Sequence, residues 1–366
     1  LPGFGRSEHS KESNYSPGNY SKLILAVVKK YAKSKKLIVV GHSLGGAIAL
    51  SFANDNPELV ENLILIDVAG ILQRSVFVKH LSQFKTNQLQ NLPASGLMNQ
   101  VLKGVNTLSD VVIEFFDQFS DLQDLLMKNP EVLGALAKDK VAIRAAAALI
   151  EVDYTEALSG IKVPTLILWG ADDLIAPLRT GQLLNFLIKS SALEVLKGVG
   201  HVSIREAPIQ IVDKILNWLS VPYSREIEKP KYVDIDFTCD KEKNKVVQGA
   251  YNKITITMCK NVTLQNVSAH QIILKESNVS MLNVFVDSEN IGIDATESVV
   301  IATNLVINAK TGLKLDGAKL DLAGATITVS DRVILPVTES LTYWSVSRID
   351  SPKTGKRNMH QRSVYQ

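Results

Sequence analysis

The sequence predicts an α/β protein: a doubly wound, mostly parallel sheet with an inserted helical cap, followed by a C-terminal all-β solenoid. Three observations carry this reading. Apolar runs without alternation, such as Leu37-Ile38-Val39-Val40 and Leu63-Ile64-Leu65-Ile66, alternate with turn residues and helix-like stretches, as strands covered by helices on both faces require. Strand signals vanish over about residues 71–160 and helical spacing takes over. Past residue 232, short Val/Ile/Leu/Thr strands split by Asn, Ser, Asp and Gly repeat at a near-constant interval.

The elements follow in order. A strand at 37–40, a glycine-rich turn and a helix-like stretch at 47–56 precede the strand at 63–66. The cap, placed at 71–157, shows three- and four-residue apolar spacing through Val111, Val112, Ile113, Phe115 and Phe116, then Leu122, Leu125 and Leu126, and ends in an alanine-rich stretch at 142–150. Strands return at 165–169 and 193–196, so the sheet domain comprises 1–70 and 158–221. A linker is placed at 222–232, where Pro222 and Pro230 bracket a charged run that neither a helix nor a central strand tolerates.

In the solenoid, placed at 233–345, Asn266, Asn283 and Asn304 each end an apolar strand and lie 17 and 21 residues apart, one coil per repeat. Stacked coils bury one another's apolar faces, and an asparagine at a fixed turn position can form a hydrogen-bonded ladder. Cys239 and Cys259 lie 20 residues apart, about one coil, and can stack or bridge; two buried free thiols are the expectation, because free cysteine packs as a small hydrophobe. Residues 346–366, with Lys353, Lys356, Arg357 and Arg362, read as a solvated basic tail.

Composition narrows the function. The chain has 366 residues, 46% of them hydrophobic and 21% charged, enough to bury two or three domain cores. A net charge of +3 is too small for a protein that binds nucleic acid by neutralising phosphates. No apolar run approaches the ~20 residues of a membrane-spanning helix, so a soluble protein, cytoplasmic or secreted, is expected. The two cysteines lack zinc-site spacing, and neither a metal nor a cofactor is expected.

The chemistry is carried by Gly41-His42-Ser43-Leu44-Gly45, a G-x-S-x-G segment between the strand at 37–40 and a helix opening at Gly46-Ala47. A serine on so sharp a strand-to-helix turn is strained, and the residues two before and two after it are expected to be small. The turn lifts its hydroxyl out of the sheet and leaves the Leu44 amide to donate to a developing oxyanion. Serine needs a base, and the base an orienting acid. Asp172 and Asp173 follow the strand at 165–169, and His201 follows the strand at 193–196, so all stand at the carboxyl ends of strands, where open α/β sheets bind ligands. Asp67, at the end of 63–66, is an alternative acid. His42 is expected to point away from the Ser43 hydroxyl, as a packing or hydrogen-bonding residue.

Leu-Pro-Gly-Phe-Gly-Arg-Ser at 1–7, Gly-His-Ser-Leu-Gly-Gly at 41–46, Gly-Ala-Asp-Asp at 170–173 and Gly-His at 200–201, followed by Glu206 and Pro208, together resemble the α/β-hydrolase superfamily, in particular its cap-bearing serine hydrolases. The resemblance implies Ser43 as nucleophile, His201 as general base and then acid, and Asp173, three residues after the glycine, as the orienting acid in preference to Asp172. Related haloalkane dehalogenases and epoxide hydrolases use an aspartate nucleophile, so Ser43 points instead to esters, thioesters, lactones, amides or the carbon–carbon bonds of certain diketones. The apolar cap suggests a small, largely apolar carbonyl substrate.

In that family the 1–7 segment follows the fourth strand, and a turn after the third strand supplies the second oxyanion amide. The resemblance thus implies early strands and a second donor upstream of Leu1, and the chain is expected to be a fragment of a longer reading frame. The asparagine ladder resembles the pectate-lyase-like right-handed parallel β-helices, but no clustered Asp or Arg set for calcium-assisted elimination accompanies it. A spacer or a module binding glycan or protein is expected there. The competing reading of the whole chain is a carbohydrate-binding or surface-interaction solenoid with an inactive hydrolase part.

Overall fold

The computed structural model describes residues 1–4, 6–7, 14–32, 36–73, 145, 148–149, 151–173, 175–220 and 233–365. The chain divides into two compact units, 1–152 with 156–224, and 153–155 with 225–366. Of the expected cap, residues 74–144 lie outside the described residues, as does the expected linker at 222–232.

In the first unit, α1 (Pro17–Tyr31) precedes β1 (Leu37–His42), α2 (Leu44–Asp55) and β2 (Val60–Ile66). Then come α3 (Thr155–Gly160), β3 (Thr165–Gly170), α4 (Leu178–Leu187), β4 (Ser191–Leu196), the short α5 (Ser203–Glu206) and α6 (Pro208–Ser220). The strands form one sheet in the order β1-β2-β3-β4, every pair parallel. Ile64, Ile66, Leu166 and Leu168 pack with Leu196, Val199 and Ile211 of α6. Their neighbours Leu63, Leu65, Ile167 and Trp169 are equally buried, so both faces of the central strands are covered. That is why these strands read as continuous apolar runs.

Helix α1 starts where its residues dictate. Ser16 accepts a hydrogen bond from the Asn19 amide, Pro17 occupies the first turn, and Lys29 and Lys30 stand in the last, where cations oppose the helix dipole. Its Tyr20 hydroxyl donates to the Pro2 carbonyl at 2.9 Å, and burial, with Tyr15 adding to it, pushes that phenol up to about 12. Phe4, Tyr20 and Leu44 belong to one apolar cluster with Ile48, so the N-terminal segment packs beside the start of α2.

The second unit is the solenoid. Strands β5 (Phe237–Asp240), β6 (Val246–Thr257), β7 (Val262–Lys275), β8 (Asn278–Thr296), β9 (Val299–Asp316), β10 (Lys319–Ala323) and β11 (Thr326–Pro336) pair in parallel from coil to coil, β10 and β11 both stacking on β9. Like residues stack in register: Ile254 on Ile272, Ile272 on Ile293, Ile293 on Leu313. These and Val262, Val279, Val300 and Leu320 line a single apolar core.

The corners explain the polar repeat. Asn266, Asn283 and Asn304 have φ of 52°, 55° and 61°, a left-handed conformation that asparagine tolerates better than most residues. Their amides form a ladder, Asn283 donating to Asn266 and Asn304 to Asn283, each at 2.9 Å. A second ladder joins Asn261 to Asn244 at 2.7 Å. Buried serines finish other corners: the Ser277 hydroxyl accepts from the Cys259 amide at 3.0 Å and the Ser298 hydroxyl from the Ser277 amide at 3.1 Å.

Two expectations are corrected. Cys239 and Cys259 are not free thiols but a disulfide: both face the core on successive coils, with Cα atoms 6.6 Å apart, inside the range a bridge spans. Residues 346–366 are not a solvated tail. After β12 (Ser340–Ser345) they supply β13 (Ser347–Ser351), β14 (Gly355–Met359) and β15 (Arg362–Tyr365), and β14 and β15 fold back antiparallel on β13 and β12. Ile349 and Met359 are buried while Lys356 and Arg357 face solvent. Exposed charges on a terminal strand oppose further edge pairing, and their density hid the alternation.

The disulfide closes a loop of sequence separation 20, so Cys239→Ser with Cys259→Ser is expected to cost about 3 kcal/mol in denaturant unfolding. An unchanged solenoid transition would mean that packing alone holds the first coils.

Candidate active site

Ser43 stands between β1 and α2 with φ 53° and ψ −122°, a strained backbone that costs on the order of 1–3 kcal/mol and must be held by its surroundings. Its amide donates to the Ile66 carbonyl at 3.0 Å, and its carbonyl accepts from the Gly46 amide at 3.0 Å. The glycines divide this work unevenly. A Cβ at Gly41 would lie 2.2 Å from the Gly45 carbonyl oxygen, and one at Gly46 would lie 2.6 Å from Val68 Cγ2. A Cβ at Gly45 meets nothing within 4 Å, so the requirement expected two residues after the serine falls on Gly46 instead.

Asp173 and His201 arrive from the ends of β3 and β4. The His201 Nε2 lies 2.9 Å from Ser43 Oγ and its Nδ1 lies 2.8 Å from Asp173 Oδ2. Asp173 is buried, and its Oδ1 accepts from the Ile175 and Ala176 amides, each at 2.8 Å. These bonds fix the carboxylate while the Trp169 indole, donating to the Ala176 carbonyl at 2.9 Å, pins the far side of the loop. Trp169 is fully buried under Gly181 of α4, where a Cβ would lie 2.8 Å from the ring, so it serves the core.

The backbone lets the acid loop and the histidine loop meet. A Cβ at Gly170 would lie 2.4 Å from both the Val199 and Gly200 carbonyl oxygens. Glu206 then clamps the histidine loop on either side of His201, accepting from the Gly200 amide at 2.7 Å and the Val202 amide at 3.2 Å. Asp172 is exposed and does not share this position; its amide donates to the Val199 carbonyl at 2.9 Å. Leu44 is the first residue of α2, and the first amides of a helix have no partner within it.

Asp67 is fully buried at the end of β2 with φ 45°. Its Oδ1 accepts from the Gly170 amide at 2.8 Å and its Oδ2 from the Ser203 hydroxyl. The His42 Nε2 lies 2.7 Å from the His201 carbonyl oxygen and 3.9 Å from Asp67 Oδ2. Burial pushes the Asp67 carboxyl above the usual carboxylate range; the Ser203 and Gly170 hydrogen bonds oppose that, Asp173 adds to it and His201 offsets it. Among the described residues no group of three His, Cys, Asp or Glu is placed to hold a metal ion. Also among the described residues, no helix is long and apolar enough to cross a membrane.

Ser43, Asp173 and His201, each expected from its place after a strand, lie together in the structure. The bonds of Ser203 and Glu206 to the loops have no signal in the sequence. Neither lies in a spacing pattern that marks a bond to a residue 136 positions away or to the loop of its own helix start.

A parallel sheet that presents a serine, a histidine and a carboxylate in hydrogen-bonded series at its carboxyl edge defines an α/β enzyme of the hydrolase class. The chain belongs to the alpha/beta hydrolase fold family, whose model matches residues 1–208. It is 30% identical over 224 residues to the uncharacterized hydrolase YugF of Bacillus subtilis (strain 168), covering 60% of this chain and 78% of that one. Lipase 1 of Psychrobacter immobilis is 23% identical over 234 residues, covering 60% and 67%. A 2-hydroxy-6-oxononadienedioate/2-hydroxy-6-oxononatrienedioate hydrolase of Pseudomonas sp is 25% identical over 226 residues, covering 60% and 75%.

Two outcomes test this geometry. Gly41→Ala is expected to abolish soluble folded protein, because the Cβ meets rigid backbone, while Gly45→Ala keeps the melting temperature or raises it, alanine favouring a helix interior over glycine by up to about 1 kcal/mol. Equal damage from both would refute the steric assignment. Because its folded pKa is raised, Asp67 contributes stability that is present below the ordinary carboxylate pKa and lost as pH rises through the raised value. Asp67→Asn is therefore expected to melt no lower than the parent at pH 7, with any advantage fading as pH falls below the carboxylate range. A variant that melts far lower at pH 7 and recovers in acid would reverse the sign.

Proposed function

We propose that this hydrolase cleaves an ester-like carbonyl substrate, a carboxylic ester, thioester or lactone, through a Ser43–His201–Asp173 triad and an acyl-enzyme. One observation carries the reading: the uninterrupted series Ser43 Oγ to His201 Nε2 at 2.9 Å and His201 Nδ1 to Asp173 Oδ2 at 2.8 Å. With Asp173 accepting from Nδ1–H, Nε2 is the free base that faces the serine hydroxyl.

The Ser43 oxygen attacks the carbonyl carbon as its proton passes to His201 Nε2. The carbonyl π bond becomes an oxyanion, to which the Leu44 amide donates. Collapse of this intermediate expels the alkoxide or thiolate, which takes the proton from His201, and leaves Ser43 acylated. Water then attacks the acyl carbon with His201 again as base, releasing the acid and restoring Ser43. Asp173 stays ionised throughout and stabilises the imidazolium. The lipase and oxo-acid hydrolase names among the relatives support a carbonyl substrate.

The solenoid reads as a spacer or docking module carried on the same chain. Its Cys239–Cys259 disulfide supports folding in an oxidising compartment, where such bonds persist.

The test is a fluorophosphonate probe with p-nitrophenyl butyrate turnover on the full chain. Labelling of the parent, absent in Ser43→Ala, with turnover reduced by about 10⁴-fold or more in Ser43→Ala and His201→Ala, is the expected result. A folded parent that neither labels nor turns over the ester would overturn the proposal.

A further inference from the structure

We infer that Asp67 and His42 form a second orienting relay, which positions the triad histidine by gripping its backbone carbonyl rather than its ring. This rests on the triad reading above, in which neither residue has a part.

The geometry is specific to a positioning role. A carbonyl oxygen can only accept, so the 2.7 Å contact between His42 Nε2 and the His201 carbonyl requires the proton on His42 Nε2. The Asp67 Oδ2, 3.9 Å from the same nitrogen, favours that protonated nitrogen electrostatically. Asp67 has a second grip, through the Ser203 hydroxyl two residues past His201, and a third, through the Gly170 amide three residues before Asp173. One buried carboxylate thus joins the nucleophile turn, the acid loop and the histidine loop. Burying an anion is costly unless it is hydrogen-bonded, and the Asp67 oxygens accept from Gly170 and Ser203 and face His42. Its groups are spent on the three loops that carry the triad.

The carbonyl is the useful handle. The ring of His201 must carry a proton from Ser43 to the leaving group, so both ring nitrogens are committed. The main chain is held separately: His42 lies on the His201 carbonyl, and Glu206 holds the amides on either side of the residue. A displacement of the base by even 1 Å costs up to about 100-fold in rate, while leaving the substrate's other contacts intact. The relay is therefore expected to act on kcat and to spare KM.

The test uses the full chain and p-nitrophenyl butyrate. Asp67→Asn keeps the shape and the acceptor for Gly170 but removes the charge; it is expected to lower kcat about tenfold with KM within about twofold. His42→Ala should do the same, and His42→Gln, whose amide nitrogen can donate to the same carbonyl, should restore most of the rate. Because Asp67 reaches the His201 carbonyl through His42, the Asp67→Asn with His42→Ala double variant should lose less than the product of the two single losses, the remainder being what Asp67 does through Ser203 and Gly170. A folded Asp67→Asn enzyme with unchanged kcat, a loss carried by KM, no rescue by glutamine or fully multiplicative losses would each overturn the relay. A readout without substrate separates this from failure of the ester reading: the strongly deshielded Nδ1–H proton of His201 in the NMR spectrum, assigned by its loss in Asp173→Ala. It should broaden in both Asp67→Asn and His42→Ala even if the parent cleaves no ester, and identical signals would refute the relay.

Discussion

Everything at the catalytic edge hangs on hydrogen bonds that continue the parallel ladder past the strand ends. The Ser43 amide bonds the Ile66 carbonyl, the Asp67 amide bonds the Leu168 carbonyl, and the Ala171 amide bonds the Leu196 carbonyl. Each residue that leaves a strand is thereby tied to the end of the next. A turn that is strained in isolation, as Ser43 is at φ 53°, persists because its neighbours are fixed on both sides. The site inherits its precision from backbone pairing, and side chains refine it.

Close backbone approach is the second half of that constraint. Gly41 lets the nucleophile turn fold on Gly45, and Gly170 lets the acid loop lie against the carbonyls of Val199 and Gly200. Only then can the hydrogen bonds of Ser43, His201 and Asp173 form at 2.9 and 2.8 Å. Stability and function pull apart at Asp67, where an anion is buried among strand ends: its burial raises its pKa, while its hydrogen bonds to Gly170 and Ser203 join loops that would otherwise be independent.

The solenoid solves a simpler problem by repetition. Each coil places an apolar residue on an apolar residue and a left-handed corner on a left-handed corner, so the asparagine side chains hydrogen-bond one another along the stack. A defect in one coil is then felt mainly by its two neighbours. The ends need separate treatment, and the disulfide at the first coils and the antiparallel returns of β14 and β15 at the last supply it.

The sheet strands were legible in the sequence because burial on both faces demands uninterrupted apolar runs, and the asparagine interval was legible because stacking demands a fixed register. Ser43, Asp173 and His201 stood out because each follows a strand, where glycine and turn residues make the position visible. The basic C-terminal strands were not legible: Lys356 and Arg357 dominate a segment whose one buried anchor is Met359. Nor was the pairing of Cys239 with Cys259, since separation along the chain does not say which way two side chains face. The sequence by itself determined which residue types could perform the chemistry and which strands would carry them, because those follow from local spacing. Only the tertiary structure decided that Asp173 rather than Asp172 or Asp67 reaches the histidine, and that Asp67, His42, Ser203 and Glu206 hold the loops. Such contacts join residues more than a hundred positions apart or depend on side-chain direction, and both are set by the packing of strand ends.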